Sequence, residues 1–171
     1  MRKYLVFASI LVLLVIAVFS FAQNRRGNEE IACKVVGTWR LISIEATRPN
    51  GEVIHDWGQN PTGLIMYDSS GRMAVQFMRD PPPTSASNHL TIEEKNAAFE
   101  GYYAYFGTYE FNEKDGTVTH HIQSSMRPYE VGTDYKRFYK LGGNRLTLST
   151  PPMLREGEQR VYRLVWERSD V

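Results

Sequence analysis

The sequence predicts an all-β domain, an antiparallel sandwich or up-and-down barrel of eight or nine short strands with one short helix. Three observations carry this. Runs rich in Val, Ile, Thr, Tyr, Phe and Trp are broken by turn residues roughly every 8–12 positions. The clearest run, Arg72–Arg79, alternates: Met73, Val75 and Phe77 share one face while Arg72 and Gln76 take the other, as in a half-buried strand. Nearly all connections are of hairpin length, so neighbouring strands pair antiparallel.

The first segment is of another kind. Arg2 and Lys3 precede an almost wholly apolar Tyr4–Phe21, and Ser20-Phe21-Ala22 places small residues at a cleavage site ahead of Gln23. This is the order of a secretory signal peptide over residues 1–22, and it predicts export to a secreted or periplasmic location. The rival reading is an uncleaved membrane anchor, because eighteen apolar residues just suffice to span a bilayer. Residues 23–34 then read as a linker, polar through Glu30, and residues 35–168 as the barrel domain.

Within that domain Val35–Ile44 has strand composition, and Asn50-Gly51 is a hairpin turn leading to a short strand near Val53–Trp57. Gly63–Tyr67 and Arg72–Arg79 flank the turn Asp68–Gly71. Asp80–His89 contains Pro81-Pro82-Pro83, which no strand or helix can run through, and reads as a loop placed to cover a cavity mouth. Thr91 with Glu94 forms a capping box for the one helix of the domain, which Gly101 ends. Tyr102–Phe111 and Thr117–Ser125 form an aromatic hairpin about Asp115-Gly116. Asp134–Leu141 and Arg145–Thr150 pair across Gly142-Gly143-Asn144, Pro151–Gln159 reads as a loop, and Arg160–Arg168 closes the chain.

Composition excludes several functions. The formal charge of +1 becomes −1 once Arg2 and Lys3 leave with the first segment, with both signs interspersed. That argues against a nucleic-acid surface and against a polybasic membrane patch, so membrane contact is expected only through an uncleaved N-terminal segment. Cys33 is the only cysteine, which rules out an intrachain disulfide and a thiolate-built zinc site. No nucleophile elbow, Walker loop or dinucleotide glycine loop is present, and no cofactor is expected.

The aromatic hairpin holds the candidate site. His120 and His121 are adjacent, and adjacent strand residues point to opposite faces, so they cannot chelate one metal together. No metal site is expected. Pairing Phe111 with Thr117 sets Tyr103, Tyr105, Tyr109, His121 and Gln123 on one face, with Gly107 among them making room for a ligand or marking a bend. His120 then falls on the other face with Phe106, Val118 and Ile122, and a one-residue slip in the turn reverses the match. Trp57 and Arg127, in or beside loops, are placed at the cavity mouth, whereas Trp39 reads as structural, its ring stacked with the guanidinium of Arg168 or Arg40.

These residues resemble a known family, the microbial lipocalin-like domain proteins of the calycin type. Gly37-Thr38-Trp39-Arg40 is similar to the Gly-x-Trp that opens lipocalins, Thr133-Asp134-Tyr135 to their second motif, and Arg168 stands where lipocalins place an Arg over the Trp. Phe138 stands where that second motif tends to end in Tyr. Tyr105-Phe106-Gly107-Thr108-Tyr109, Val118-Thr119-His120-His121 and Leu164-Val165-Trp166-Glu167-Arg168 extend the likeness over Val35–Arg168. The resemblance implies an antiparallel calycin β-barrel binding a small hydrophobic or amphipathic molecule. Two other readings stand beside it. One is an acid/base enzyme on the same barrel, an isomerase or cyclase with His121 or His120 working beside Tyr105. The other is a structural module with a filled barrel.

Overall fold

The computed structural model describes residue 23, residues 25–85 and residues 87–169. The apolar first segment, Met1–Ala22, lies outside them.

The strands run β1 Gly37–Thr47, β2 Val53–Ile54, β3 Thr62–Tyr67, β4 Arg72–Met78, β5 Tyr102–Asn112, β6 Thr117–Ser125, β7 Asp134–Gly142, β8 Arg145–Ser149, β9 Met153–Arg155 and β10 Glu158–Arg168. They form one sheet in the order β2-β1-β3-β4-β5-β6-β7-β8-β10-β9, and β1 also pairs with β10. Antiparallel pairing from Trp39↔Arg168 to Thr47↔Val161 therefore closes the sheet on itself. Without β2 and β9, which hang on its edges, the barrel is eight-stranded and up-and-down, a size whose interior side chains just fill or that holds one small ligand. This is the fold the sequence predicts.

One end of the barrel is sealed. The Trp39 ring is fully buried, its indole Nε1 donates to the carbonyl of Val35 at 2.8 Å, and the guanidinium of Arg168 lies 4.2 Å from the ring centroid. Arg168 also donates to the carbonyls of Val36, at 2.9 Å, and Lys34. Arg40, the other candidate for stacking, instead pairs with Glu167 at 2.8 Å. Gly37 has a φ of +134°, and a Cβ there would come 2.7 Å from the Arg168 guanidinium.

Residues 25–35 are helical (α1) rather than a linker. Two i,i+4 ion pairs, Arg25–Glu29 and Glu30–Lys34, support the turn spacing on the exposed side. Ile31 and Ala32 pack against the core and Val35 is fully buried, so the apolar side plugs the sealed end. The second helix, α2 Ile92–Gly101, has the capping box the sequence predicts, with Thr91 N–H donating to Glu94 Oε2 and Glu94 N–H to Thr91 Oγ1. The proline loop before it lies at the opposite end, where Asp80 N–H donates to the Trp57 carbonyl at 2.9 Å. The stretch expected as a plain loop over Pro151–Gln159 contains β9 and the start of β10. The Glu156-Gly157 turn between them, with φ of 52° and 80°, is of the tight hairpin kind.

The aromatic hairpin differs from expectation by one residue. Asn112 pairs with Thr117 and Phe111 with Val118, because the turn takes the four residues Glu113–Gly116 and Asn112 stays in the strand. Gly116 N–H donates to the Glu113 carbonyl and Asn112 Nδ2 to Asp115, which closes that turn. The slip sets His120 opposite Tyr109 and His121 opposite Thr108. A bulge between Phe106 and Gly107 then shifts the register again, so that Tyr105 meets Ser125. Gly107 is the residue that permits this, since a Cβ there would lie 1.9 Å from the carbonyl oxygen of His121.

Gly107→Ala is therefore expected to lower the unfolding free energy by about 1–3 kcal/mol in denaturant titration, the range for overpacking. Gly142→Ala, where a Cβ meets nothing within 4 Å, serves as the neutral control.

Candidate functional site

The barrel interior is mostly filled. Trp39, Tyr67, Tyr109 and Phe111 pack between the sealed end and the middle, with Tyr67 and Tyr109 edge to face at 4.8 Å. Toward the other end remains a cavity of about 90 Å³, and Trp57, Tyr103, Tyr105, His120, Arg127 and Glu130 are among its lining residues. Val75, Phe77 and Leu148 supply apolar wall.

Four residues expected at a ligand site, Tyr103, Tyr105, Arg127 and Trp57, line this cavity. Four do not. His121 faces outward, with Nδ1 2.7 Å from Asp134 Oδ1 at the surface, and Gln123 is exposed. Both follow from the one-residue turn slip, because shifting the register moves every side chain of the strand to the other face. Tyr109 is buried but lies nearer the sealed end, donating to the Asp68 carbonyl at 2.7 Å. Gly107 lies at the bulge and does not line this cavity.

His120 takes the interior position assigned to His121. It is 1% exposed, with Tyr67 Oη 2.8 Å from Nε2 and Tyr105 Oη 2.8 Å from Nδ1. Burial, then the charges of Arg137 and His121, push its pKa down to about 3. The ring is therefore neutral at physiological pH, with one nitrogen donating to a tyrosine oxygen and the other accepting from a tyrosine hydroxyl. Burial pushes the Tyr105 hydroxyl up to about 12, against the pull of Arg137, and raises Tyr67 well above its usual range. The geometry an acid/base pair needs is present, but neither His120 nor Tyr105 titrates near neutral pH, where such a pair is most effective.

Glu130 is a cavity residue that sequence reasoning missed. It ends the 3₁₀ turn Pro128–Glu130, and its backbone carbonyl is held by Thr133 N–H and Thr133 Oγ1. The turn folds its carboxylate into the barrel, 3% exposed, where Oε2 accepts from Tyr103 Oη at 2.9 Å and Ser125 Oγ at 2.6 Å. No local pattern in a Pro-containing loop announces a buried acid. Tyr135 and Arg137 were missed too, although the alternation of Tyr135, Arg137, Tyr139 and Leu141 along β7 carried the signal. At the rim, Tyr162 Oη donates to Asp56 Oδ2 at 2.6 Å and Arg160 Nη1 lies 3.5 Å from the same oxygen. Among the described residues no three His, Cys, Asp or Glu side chains come together as metal ligands.

The depressed pKa of His120 has a consequence for stability. Unfolded, the ring binds a proton below about 6.5; folded, it does so only below about 3. Between these values the unfolded chain holds the extra proton, so stability falls as pH falls. From pH 6.5 down to about 4.5, above most carboxylate titration, the slope is expected to approach about 1.4 kcal/mol per pH unit. His120→Gln, which can still donate and accept, is expected to flatten that slope in denaturant titrations run across this range.

Comparison with known proteins agrees with the architecture. No curated protein shows significant sequence similarity to the chain. The family model of the lipocalin-like domain matches residues 36–169, which span the barrel from just before β1 to just past β10. The chain belongs to the lipocalin-like domain family.

Proposed function

We propose that this protein is an exported binder of one small, mostly apolar molecule, held in the barrel cavity. The observation that carries the reading is the cavity itself: an aromatic and aliphatic wall with a few polar tips, the ordinary make-up of a ligand site. Tyr105, Tyr103 and Arg127 supply the tips. The volume limits the guest. About 90 Å³ is well below the roughly 300–1,000 Å³ of drug-sized sites. It suits one ring or a short acyl chain, either alone or as the inserted end of a larger molecule.

The protonation states favour binding over catalysis. His120 and the surrounding tyrosines satisfy one another, which makes a rigid, neutral wall. The first segment supports export. The residues that pack on the sealed end, Ile31, Ala32 and Val35, lie downstream of the Ala22-Gln23 junction, so cleavage there leaves them in the mature chain.

Native mass spectrometry of protein purified from its own host is expected to show a retained small molecule. Leu148→Trp, which fills the cavity, is expected to lose that molecule while unfolding stays cooperative. A wild-type protein that carries nothing, and is stabilised by no member of a panel of single-ring and short-acyl compounds, would sink the binding reading. The same spectra test export: the mature mass is expected to start at Gln23. A full-length mass would instead support an uncleaved anchor.

A further inference from the structure

Three arginines, Arg127, Arg137 and Arg155, line the cavity. Among the described residues none of them has a carboxylate within ion-pair distance; the ion pairs all lie elsewhere. The contrast is Arg160, which is buried where the other three are half-buried and is met by Glu156 at 2.9 Å, Glu158 at 3.2 Å and Asp56 at 3.5 Å. The fold neutralises one buried guanidinium three times over and leaves the cavity arginines without a counter-charge.

Arg137 is the most telling of the three. It sits on the inward, half-buried face of β7 between Tyr135 and Tyr139. Its guanidinium lies 4.8 Å from the Tyr135 ring centroid and donates to the Lys136 carbonyl at 2.9 Å. The β7–β8 ladder stops at Phe138↔Ser149, so the part of β7 bearing Tyr135 and Arg137 pairs with β6 alone. Arg155 and Met153 of β9 line the same cavity. Glu130 is present too, but its carboxylate is taken by Tyr103 and Ser125 and lies beyond ion-pair distance of all three arginines.

A second donor points the same way. Trp166 is fully buried and lines the cavity, and its indole Nε1 has no protein acceptor. The cavity arginines thus carry positive charge with no counter-charge beside them, and a buried N–H donor without an acceptor is costly to hold. An anionic ligand group supplies the missing counter-charge.

We propose that the ligand is a monocarboxylic acid bearing a single ring or a short acyl chain. Its carboxylate lies on Arg137 and its carbon body on Val75, Phe77 and Leu148. One inward guanidinium matches one negative charge, and its planar fork matches a carboxylate in two-point contact. Arg155 and Arg127 at the rim add attraction as the acid enters. This rests on the cavity being the binding site.

The test uses the mature chain and matched pairs, benzoate against benzamide and hexanoate against hexanamide, titrated by calorimetry at neutral pH. Each acid is expected to bind about tenfold to a hundredfold tighter than its amide, the ratio a charge-assisted hydrogen bond supplies. Arg137→Gln is expected to remove the preference by weakening acid binding about tenfold or more. Arg155→Gln, further from the core, is expected to weaken acid binding by a smaller factor and keeps the test valid should Arg137→Gln fail to fold. Amides that bind as well as acids, or a preference that survives both substitutions, would overturn the acid assignment and leave the cavity reading standing. Failure of all four probes together with a natively retained neutral molecule does the same. Failure of all four with nothing retained overturns both.

Discussion

A barrel lined with tyrosines must partner their hydroxyls away from water, and that constraint shapes the interior. Leaving a buried hydroxyl unpaired costs about 1–3 kcal/mol, so each inward tyrosine needs an acceptor or donor built into the fold. Tyr67 and Tyr105 share His120, Tyr103 uses Glu130, Tyr109 uses the Asp68 carbonyl and Tyr162 uses Asp56. These partners come from different strands and loops. The hydrogen bonds therefore tie β3, β5, β6 and the loop after β6 into one polar skeleton inside an otherwise apolar core.

The same accounting divides the barrel into two halves. At the sealed end every polar group named has a partner: the Trp39 indole on Val35, and Arg168 across the chain between α1 and β1. That end is closed packing, and α1 completes it. At the other end the skeleton stops short of filling the space, and what faces the remaining cavity is donor-rich. The proposed binding cavity and the closed packing thus occupy opposite ends of one barrel.

His120 shows how environment selects among the roles a residue type can play. A histidine beside two tyrosines has the outline of a proton relay. Burial and the neighbouring positive charges hold it neutral far below physiological pH, so it serves as a two-sided hydrogen-bond bridge. The solvent-facing member of the pair, His121, meets Asp134 and takes no part in the interior. Two adjacent identical residues have unrelated functions because a strand turns them to opposite sides.

The sequence by itself determined the all-β class, the order of most strands and the capped helix, and it narrowed the partner of Trp39 to Arg168 or Arg40. Each follows from local signals: alternation, turn residues, the capping box and the Gly-x-Trp. It also marked Tyr103, Tyr105, Trp57 and Arg127 as neighbours of one cavity. Only the tertiary structure decided which histidine faces inward, because a single residue in the turn after Asn112 sets the register of all of β6. It alone revealed Glu130 and the uncompensated Arg137, since what neutralises a charge depends on which distant strands a closed barrel brings beside it. The linker turned helix for the same reason: Ile31, Ala32 and Val35 have an apolar surface to cover only once the barrel end exists.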